Sequence, residues 1–307
     1  MSAGWVAAQV RSRGLARHRV GRAEARRLAA VTSLPEAIAG LTATSYGKEL
    51  RPDMDLAAAQ HAVSATALWN LRVLAGWAPP LGAGKVRLLA AGFELDNIVS
   101  QSATIAGLEA PELFAMGSLA AVRGLAALSD MGDVRRALEV SPWGDPGTVD
   151  VAGMRVALEF ALARRVAEGV HQAATFATSS AWLTLARSVV AGAPPVAGMP
   201  AAANARAVLG DRWESARSLE ELRRTAPRGL DWVLEGASSA AELWRCEVRW
   251  WRYLEDQGLV LLERSLPGPG AVVGVAALLC ADAWQVRAAL EAAVRGGGDR
   301  GVLDDAA

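Results

Sequence analysis

Apolar residues recur at three- and four-residue steps along most of the chain, the spacing that one face of an α-helix requires. The clearest case predicts a helix from about Lys85 to Ala106, which Gly107 ends because glycine suits the left-handed position after a helix. Asp96 and Asn97 interrupt its apolar surface. No strand pattern competes with these periods, so we expect an all-α fold. The residues on the mainly apolar face of the predicted helix 85–106 are Leu88, Ala91, Leu95, Ile98, Ser102 and Ile105.

A polar residue followed by an aliphatic one marks this helix and recurs twice further along the chain. The recurrences lie 87 and 101 residues apart, a period that predicts three helical modules in series. We place the modules at residues 1–110, 111–200 and 201–297, with a flexible tail at 298–307. The proline-rich stretch 191–204 is the clearest linker. The three pairs are Asn97-Ile98, Thr184-Leu185 and Gln285-Val286.

Local signals predict where the first module's helices begin and end. Gly21 separates a first helix from a second, and Ser33 to Glu36 reads as a capping box with a proline in the first turn. Asp55 is placed to cap a long helix that ends at the prolines 79–80. One side of that long helix carries Leu56, Val63, Ala67, Leu71 and Leu74.

The later modules repeat this plan. Short helices are predicted around residues 119–138, then a break at 141–147 and a long helix over 151–170, after which Ser179 or Ser180 restarts the chain as the helix that carries Trp182. In the third module, two serines each precede a glutamate by three residues, which predicts capping boxes at Ser218 and Ser239. A final helix runs over residues 272–294.

Composition limits the functional classes. Lysine and arginine together number 32, as do aspartate and glutamate, so no net basic field indicates nucleic acid. Two cysteines on separate apolar helices predict neither a disulfide framework nor a thiolate metal site, which fits a reducing cytoplasm. The uncharged stretch 265–281 begins with prolines, and its helical part is expected to be too short to span a bilayer.

The arginine-rich N-terminus has two interpretations. It resembles a transit peptide in its charge, but it lacks serine richness, and its apolar periodicity continues into the globular part. We therefore interpret it as a structural first helix with a solvated arginine face. The arginines in question are Arg11, Arg13, Arg17, Arg19, Arg22, Arg26 and Arg27.

No catalytic, cofactor-binding or metal-binding residues are predicted. Residues 79–86 approach a phosphate loop, but the first glycine is missing and Val86 replaces the hydroxyl residue that would bind magnesium. The histidines lack metal-ligand spacing, and the adjacent Asp304 and Asp305 fall in the predicted tail rather than on a helix.

Tryptophans within apolar helices are interpreted as packing anchors rather than as a ligand cage. The same weighing favours a solvated face over a functional contact for Asp96 and Asn97. The tryptophans are Trp69, Trp182, Trp244, Trp250, Trp251 and Trp284.

Over its whole length the chain resembles the C subunit of bacterial and archaeal rotary ATPases of the vacuolar type, the subunit called d in eukaryotes. The stretch Val6 to Arg13, the turn Thr44-Ser45-Tyr46-Gly47 and the element Phe93-Glu94-Leu95-Asp96-Asn97-Ile98 are similar to that family's motifs, as is Ala283 to Arg287. The sequence departs from the pattern where Thr184 and Gln285 replace the usual asparagine.

The resemblance implies a non-catalytic, funnel-shaped protein of three helical modules without cofactors. Such a protein sits on the cytoplasmic face of the membrane, where it joins the central shaft subunits to the proteolipid ring through protein contacts and passes torque for proton or sodium transport. No nucleic acid is expected as a partner. Two other classes stay open: a cytoplasmic helical adaptor unrelated to ion pumping, and a small-molecule enzyme, which would need a pocket with converging polar groups.

Overall fold

The computed structural model describes residues 3–264 and 266–297, and within these ranges the regular elements are all helices. The α-helices are α1 (Ala3–Arg17), α2 (Gly21–Ala29), α3 (Leu34–Leu41), α4 (Leu56–Trp77), α5 (Pro80–Leu89), α6 (Ala91–Ile105), α7 (Met131–Glu139), α8 (Val151–Gly169), α9 (Ala174–Val190), α10 (Pro200–Leu209), α11 (Leu219–Arg224), α12 (Leu243–Arg264) and α13 (Pro269–Val294). The predicted all-α class is confirmed.

Short 3-10 helices connect several of these elements. They are η1 (Gly117–Leu119), η2 (Leu125–Ala127), η3 (His171–Ala173), η4 (Arg212–Ser215), η5 (Asp231–Leu234) and η6 (Ala240–Glu242). The tail predicted at 298–307, with Asp304 and Asp305, lies outside the described residues.

Three of the predicted helix starts are confirmed by their capping bonds. Asp55 accepts a hydrogen bond from the backbone N–H of Ala58 at the start of α4. Ser218 accepts one from Glu221 at the start of α11. Ser239 and Glu242 form a capping box that leads through η6 into α12. The prediction of a capping box at Ser33 is wrong, because that side chain makes no capping bond even though α3 begins directly after it.

Other boundaries differ from the sequence-based expectation. The helix expected from Lys85 to Ala106 is divided at Ala90 into α5 and α6. Helix α9 begins at Ala174 rather than at Ser179, whose hydroxyl donates to the Thr175 and Phe176 carbonyls within the helix. The stretch 191–204 ceases to be irregular at Pro200, the first residue of α10, where proline suits a helix start.

The contacts divide the chain into two compact units. One unit combines the residues up to Leu89 with those from Trp251 onward, and the other runs from Ala90 to Trp250. Helix α12 therefore contributes residues to both. The three-module division at residues 110 and 200 stays a prediction.

Helix α13 forms the centre of the first unit, where it packs against α1 to α5. It is 26 residues long and apolar enough to cross a membrane by length and composition, so the expectation of a short helical part is wrong. Most of that apolar surface is buried: 83% of its most apolar window lies inside the protein, as in a core helix. Backbone against backbone, α13 meets α12 at Gly274 and Gly258.

The second unit has its core between α6, α7 and α8. Buried apolar side chains from these helices form one cluster, which η2 and the loop after α7 complete. Helix α9 packs against α8, α10, α11 and η5. The members of the cluster include Leu95, Ile98, Val122, Leu125, Val134, Leu138, Trp143, Met154 and Leu158.

Candidate functional site

Glu94, on α6, is a buried carboxylate whose oxygens are all engaged. Glu94 is only 2% exposed. Oε1 accepts hydrogen bonds from the consecutive backbone N–H groups of Ala121 and Val122, at 2.6 and 2.7 Å. Oε2 accepts one from Trp143 Nε1 at 3.0 Å. Because a buried charge is costly unless hydrogen-bonded, these three donors fix residues 121–122 and the loop at Trp143 against α6.

Asp282, on α13, repeats this arrangement in the other unit. It is 1% exposed, and it accepts hydrogen bonds from the consecutive N–H groups of Val20 and Gly21, at 3.2 and 2.6 Å. The hydroxyl of Tyr46 donates to its Oδ2 at 2.9 Å. We call each set a carboxylate clasp: one buried acid, two consecutive backbone N–H groups and one aromatic donor.

The environment shifts the pKa values of the second clasp. Burial raises the pKa of Asp282, and the bonds from Gly21, Tyr46 and Val20 oppose that shift only in part. Burial, and then the charge and hydrogen bond of Asp282, raise the pKa of Tyr46 well above 10.0. Tyr46 therefore stays a protonated donor to the carboxylate across the ordinary pH range.

In each clasp the acid stands three residues before a polar residue of the predicted repeat; we call Asn97, Thr184 and Gln285 the marked positions and α6, α9 and α13 the marked helices. Asn97 follows Glu94 and exchanges two hydrogen bonds with the backbone of Phe114, at 2.8 and 2.6 Å. Gln285 follows Asp282 and donates from Nε2 to Glu255 Oε2 at 2.7 Å. Helices α6 and α13 thus share the spacing between acid and amide, whereas the two amides bond to different kinds of partner.

The third marked position, Thr184 on α9, keeps one half of this pattern. Its hydroxyl donates to Glu159 Oε2 at 2.8 Å, so a carboxylate of the long helix α8 meets the marked residue, as Glu255 of α12 meets Gln285. Burial raises the pKa of Glu159, while the Thr184 bond and then Arg155 and Arg187 oppose the shift. At the clasp position stands Ala181, which has no acceptor to offer.

Glu255 also binds two arginines from the start of the chain. Arg19 Nη1 and Arg22 Nε lie 3.1 and 2.5 Å from its oxygens, and Arg22 also pairs with Asp256 at 2.7 Å. Burial alone lowers the pKa of Arg22, but the bonds from Glu255 and Asp256 outweigh it and raise that pKa. The buried carboxylate is thereby compensated by more than one cation.

The contacts of the three marked helices differ. Helix α6 packs against η2, α7 and α8, which follow it in the chain, whereas α9 packs against α8, which precedes it, and against α10, α11 and η5, which follow it. Helix α13 packs against α1 to α5, the helices at the beginning of the chain. Helices α6 and α13 carry a clasp, and α9 does not.

The polar pair Asp96-Asn97 separates into two roles. Asp96 is half-exposed and pairs with Arg155 at 3.3 Å, which agrees with the solvated face expected for it. Asn97 is buried and holds the loop at Phe114, whose ring packs edge-on against Phe93 at 5.4 Å, so the solvated face expected for Asn97 is wrong. Glu94 and Asp282 were not singled out from sequence; the available signal was an acid three residues before the marked amide.

The tryptophans only partly serve as packing anchors. Trp182 is fully buried, and Trp250 donates from Nε1 to Ser179 at 2.9 Å. Trp251 and Trp284 are half-buried and stack at 5.7 Å. Trp69 and Trp244, however, are 52% and 39% exposed, so the interpretation of these two as core anchors is wrong. Trp69 lies in a largely apolar stretch of sequence, yet its position on α4 lies outside the buried stripe.

The polar groups of the clasps and the two cysteines are held in structural environments. Both clasps have their acceptors occupied by donors. Burial raises the pKa of Cys246 and brings that of Cys280 to about 12, which disfavours the nucleophilic thiolate. The stretch that approached a phosphate loop is the helix α5. Among residues 3–264 and 266–297, no group of three or more His, Cys, Asp or Glu side chains could hold a metal ion.

Comparison with known proteins gives no family assignment. No protein-family model matches the chain, and no curated protein matches it at a significant level of similarity.

Proposed function

We propose that this chain is the non-catalytic socket subunit in the central stalk of a rotary ATPase of the vacuolar and archaeal type. In this role it joins the shaft subunits to the proteolipid ring, on the cytoplasmic face of the membrane, for proton or sodium transport. The funnel arrangement of three helical modules belongs to the same proposal.

The recurrence of the carboxylate clasp carries the proposal. Glu94 with Asn97 and Asp282 with Gln285 place the same acid-to-amide spacing on helices of both units, and both acids bind two backbone N–H groups and an aromatic donor. The same bonding pattern on two helices supports an internal repeat, and the sequence resemblance rests on such a repeat. Tyr46 of the turn that resembles the family's motif is the aromatic donor of one clasp.

Rigidity suits the function. A part that passes torque between two bodies must resist deformation, and buried, fully bonded carboxylates fix helices more firmly than apolar contacts alone. The chain needs no chemistry of its own for this task.

Deletion of the gene tests the proposal. ATP hydrolysis by the detached catalytic head should persist, whereas ATP-driven ion transport in membrane vesicles should be lost, because the shaft no longer grips the ring. The purified protein should capture both shaft and ring in pull-downs, and it should neither bind nor hydrolyse ATP. Normal pumping in the deletion strain, or capture of neither partner, would leave a helical adaptor as the remaining interpretation.

A further inference from the structure

Three contacting helices of the first unit contain no acidic residue. Helices α1, α4 and α5 carry six cationic side chains between them and not one carboxylate, although the whole chain has equal numbers of both signs. Helix α4 packs against both α1 and α5. One carboxylate that contacts α4 is Glu291, which accepts a hydrogen bond from Gln60. Gln60 lies 17 residues before Trp77, a distance of about 25 Å along the helix. The cations are Arg11, Arg13, Arg17, Arg72, Lys85 and Arg87.

One face of α1 is exposed, and its side chains change from apolar to cationic along the helix. Val6, Val10, Arg13 and Arg17 follow one another at steps of four, three and four residues, which places them on one side of the helix. All four are exposed. The half nearer the start of the helix is therefore apolar, and the other half is cationic.

Further exposed apolar side chains lie at the α4–α5 junction, which contacts the start of α1. A methyl group added to Gly4 would stand 3.4 Å from Pro79 Cβ, and one added to Gly82 would stand 3.0 Å from the ring of Trp5. The start of α1 therefore packs against the α4–α5 junction. Trp77 and Leu81 at that junction are 56% and 67% exposed. We call Val6, Val10, Trp77 and Leu81 the apolar tip.

We propose that the apolar tip inserts into the headgroup region of an anionic lipid membrane while Arg13 and Arg17 bind lipid phosphates. Exposed aliphatic residues with a tryptophan, followed along the helix by arginines, match the chemistry of that interface. Arg13 stands about 10 Å and Arg17 about 16 Å beyond Val6 along α1, within the reach of headgroups above a shallow insertion of roughly 5–10 Å. A purely cationic surface would bind nucleic acid equally well, but it would not need the apolar tip.

This inference adds direct lipid contact to the protein contacts of the proposed function and does not depend on them. The purified full chain is mixed with vesicles of phosphatidylcholine and with vesicles of phosphatidylcholine and phosphatidylglycerol in equal parts, and sedimentation measures binding. We expect binding to the anionic vesicles that weakens with salt. Because each basic residue near such a surface contributes about fivefold in affinity, the double variant R13E/R17E should bind at least 25-fold more weakly.

Matched variants separate the two contributions. R123E/R228E changes the charge equally at exposed arginines of the other unit and should bind like the natural protein. Trp77→Ser with Leu81→Ser should reduce binding at least tenfold, whereas Leu108→Ser with Val140→Ser, also exposed, should not. Circular dichroism confirms that each variant is folded.

Three results would overturn the proposal: absence of binding to anionic vesicles, equal loss in R123E/R228E, or full binding after loss of the apolar tip. The last result would show a general anion-binding surface, as for nucleic acid. Capture of shaft and ring without vesicle binding would remove the lipid contact and leave the proposed function intact.

Discussion

At the scale of single residues, the chain uses acids in two distinct ways. Asp96 stands at the surface in an ion pair open to water, where such pairs contribute little. Glu94, two residues earlier, is buried and bonded to three donors. Removal of a donor from a clasp leaves a carboxylate oxygen short of a partner in a place that water does not reach, so single substitutions there should have large effects.

The clasp at Asp282 predicts a pH-dependent effect of Tyr46→Phe. Near pH 7 the variant should lose about 1.5–3 kcal/mol of unfolding free energy, because a hydrogen bond to a charged group is lost. The pKa of Tyr46 is raised in the folded protein, so its contribution is complete below 10.0 and declines as pH rises toward the higher folded value. The gap between natural protein and variant should therefore narrow above pH 10 in urea melts.

Asp53→Asn, at an exposed pair with Arg51, provides the comparison and should change the unfolding free energy by less than about 0.5 kcal/mol. A gap for Tyr46→Phe that stayed constant from neutral to alkaline pH would contradict the shift ascribed to Tyr46.

At the scale of elements, the crossing of α12 and α13 depends on the absence of side chains. A Cβ at Gly274 would lie 2.6 Å from the Gly258 carbonyl oxygen and 2.9 Å from the Leu262 nitrogen. Both atoms belong to the backbone of the opposing helix, so neither can rotate away. The two helices therefore approach more closely than side chains would permit.

Gly274→Ala should accordingly destabilise the protein by about 1–3 kcal/mol, since the helices must separate to admit the methyl group. Gly84→Ala on α5 is the matched control. A Cβ there meets no atom within 4 Å, and alanine has the higher helix propensity, so this variant should be neutral or more stable by up to about 1 kcal/mol. Equal melting temperatures for the two variants would show that α12 and α13 are not in close contact.

Several helix starts followed from local signals in the sequence. The caps at Asp55, Ser218 and Ser239 were predicted because they act within four residues. The clasps could not be predicted, since a buried glutamate and a solvated aspartate look alike in sequence. Only the donors at Ala121, Val122 and Trp143 distinguish Glu94 from a surface acid such as Asp96. The exposure of Trp69 was missed for the same reason, because burial depends on which face of α4 meets other helices.

At the scale of the whole molecule, one unit is continuous in sequence and the other is not. Residues 90–250 form one unit, whereas residues up to 89 need α13 from the far end of the chain. Because α13 is the centre around which α1 to α5 pack, those five helices lack a core without it.

Separate expression of the two segments tests this difference. A protein of residues 90–250 should unfold cooperatively with a helical circular dichroism spectrum, since the cluster around Leu95, Leu138 and Leu158 is complete within it. Residues 1–89 alone should show no cooperative transition, and co-expression with residues 251–307 should restore one. A fragment of residues 1–89 that melted as sharply as the full chain would contradict the central role of α13.

The late position of α13 in the sequence also delays the folding of α1 to α5 during translation. Translation proceeds at about 5–20 residues per second, so the first five helices wait roughly 10–40 s for their central helix to be synthesised. During that interval their inward faces have no permanent partner, and the ribosome-bound chain is open to capture by chaperones. A premature stop codon between residue 251 and the start of α13 would leave the beginning of the protein, far from the lesion, as the part that cannot fold.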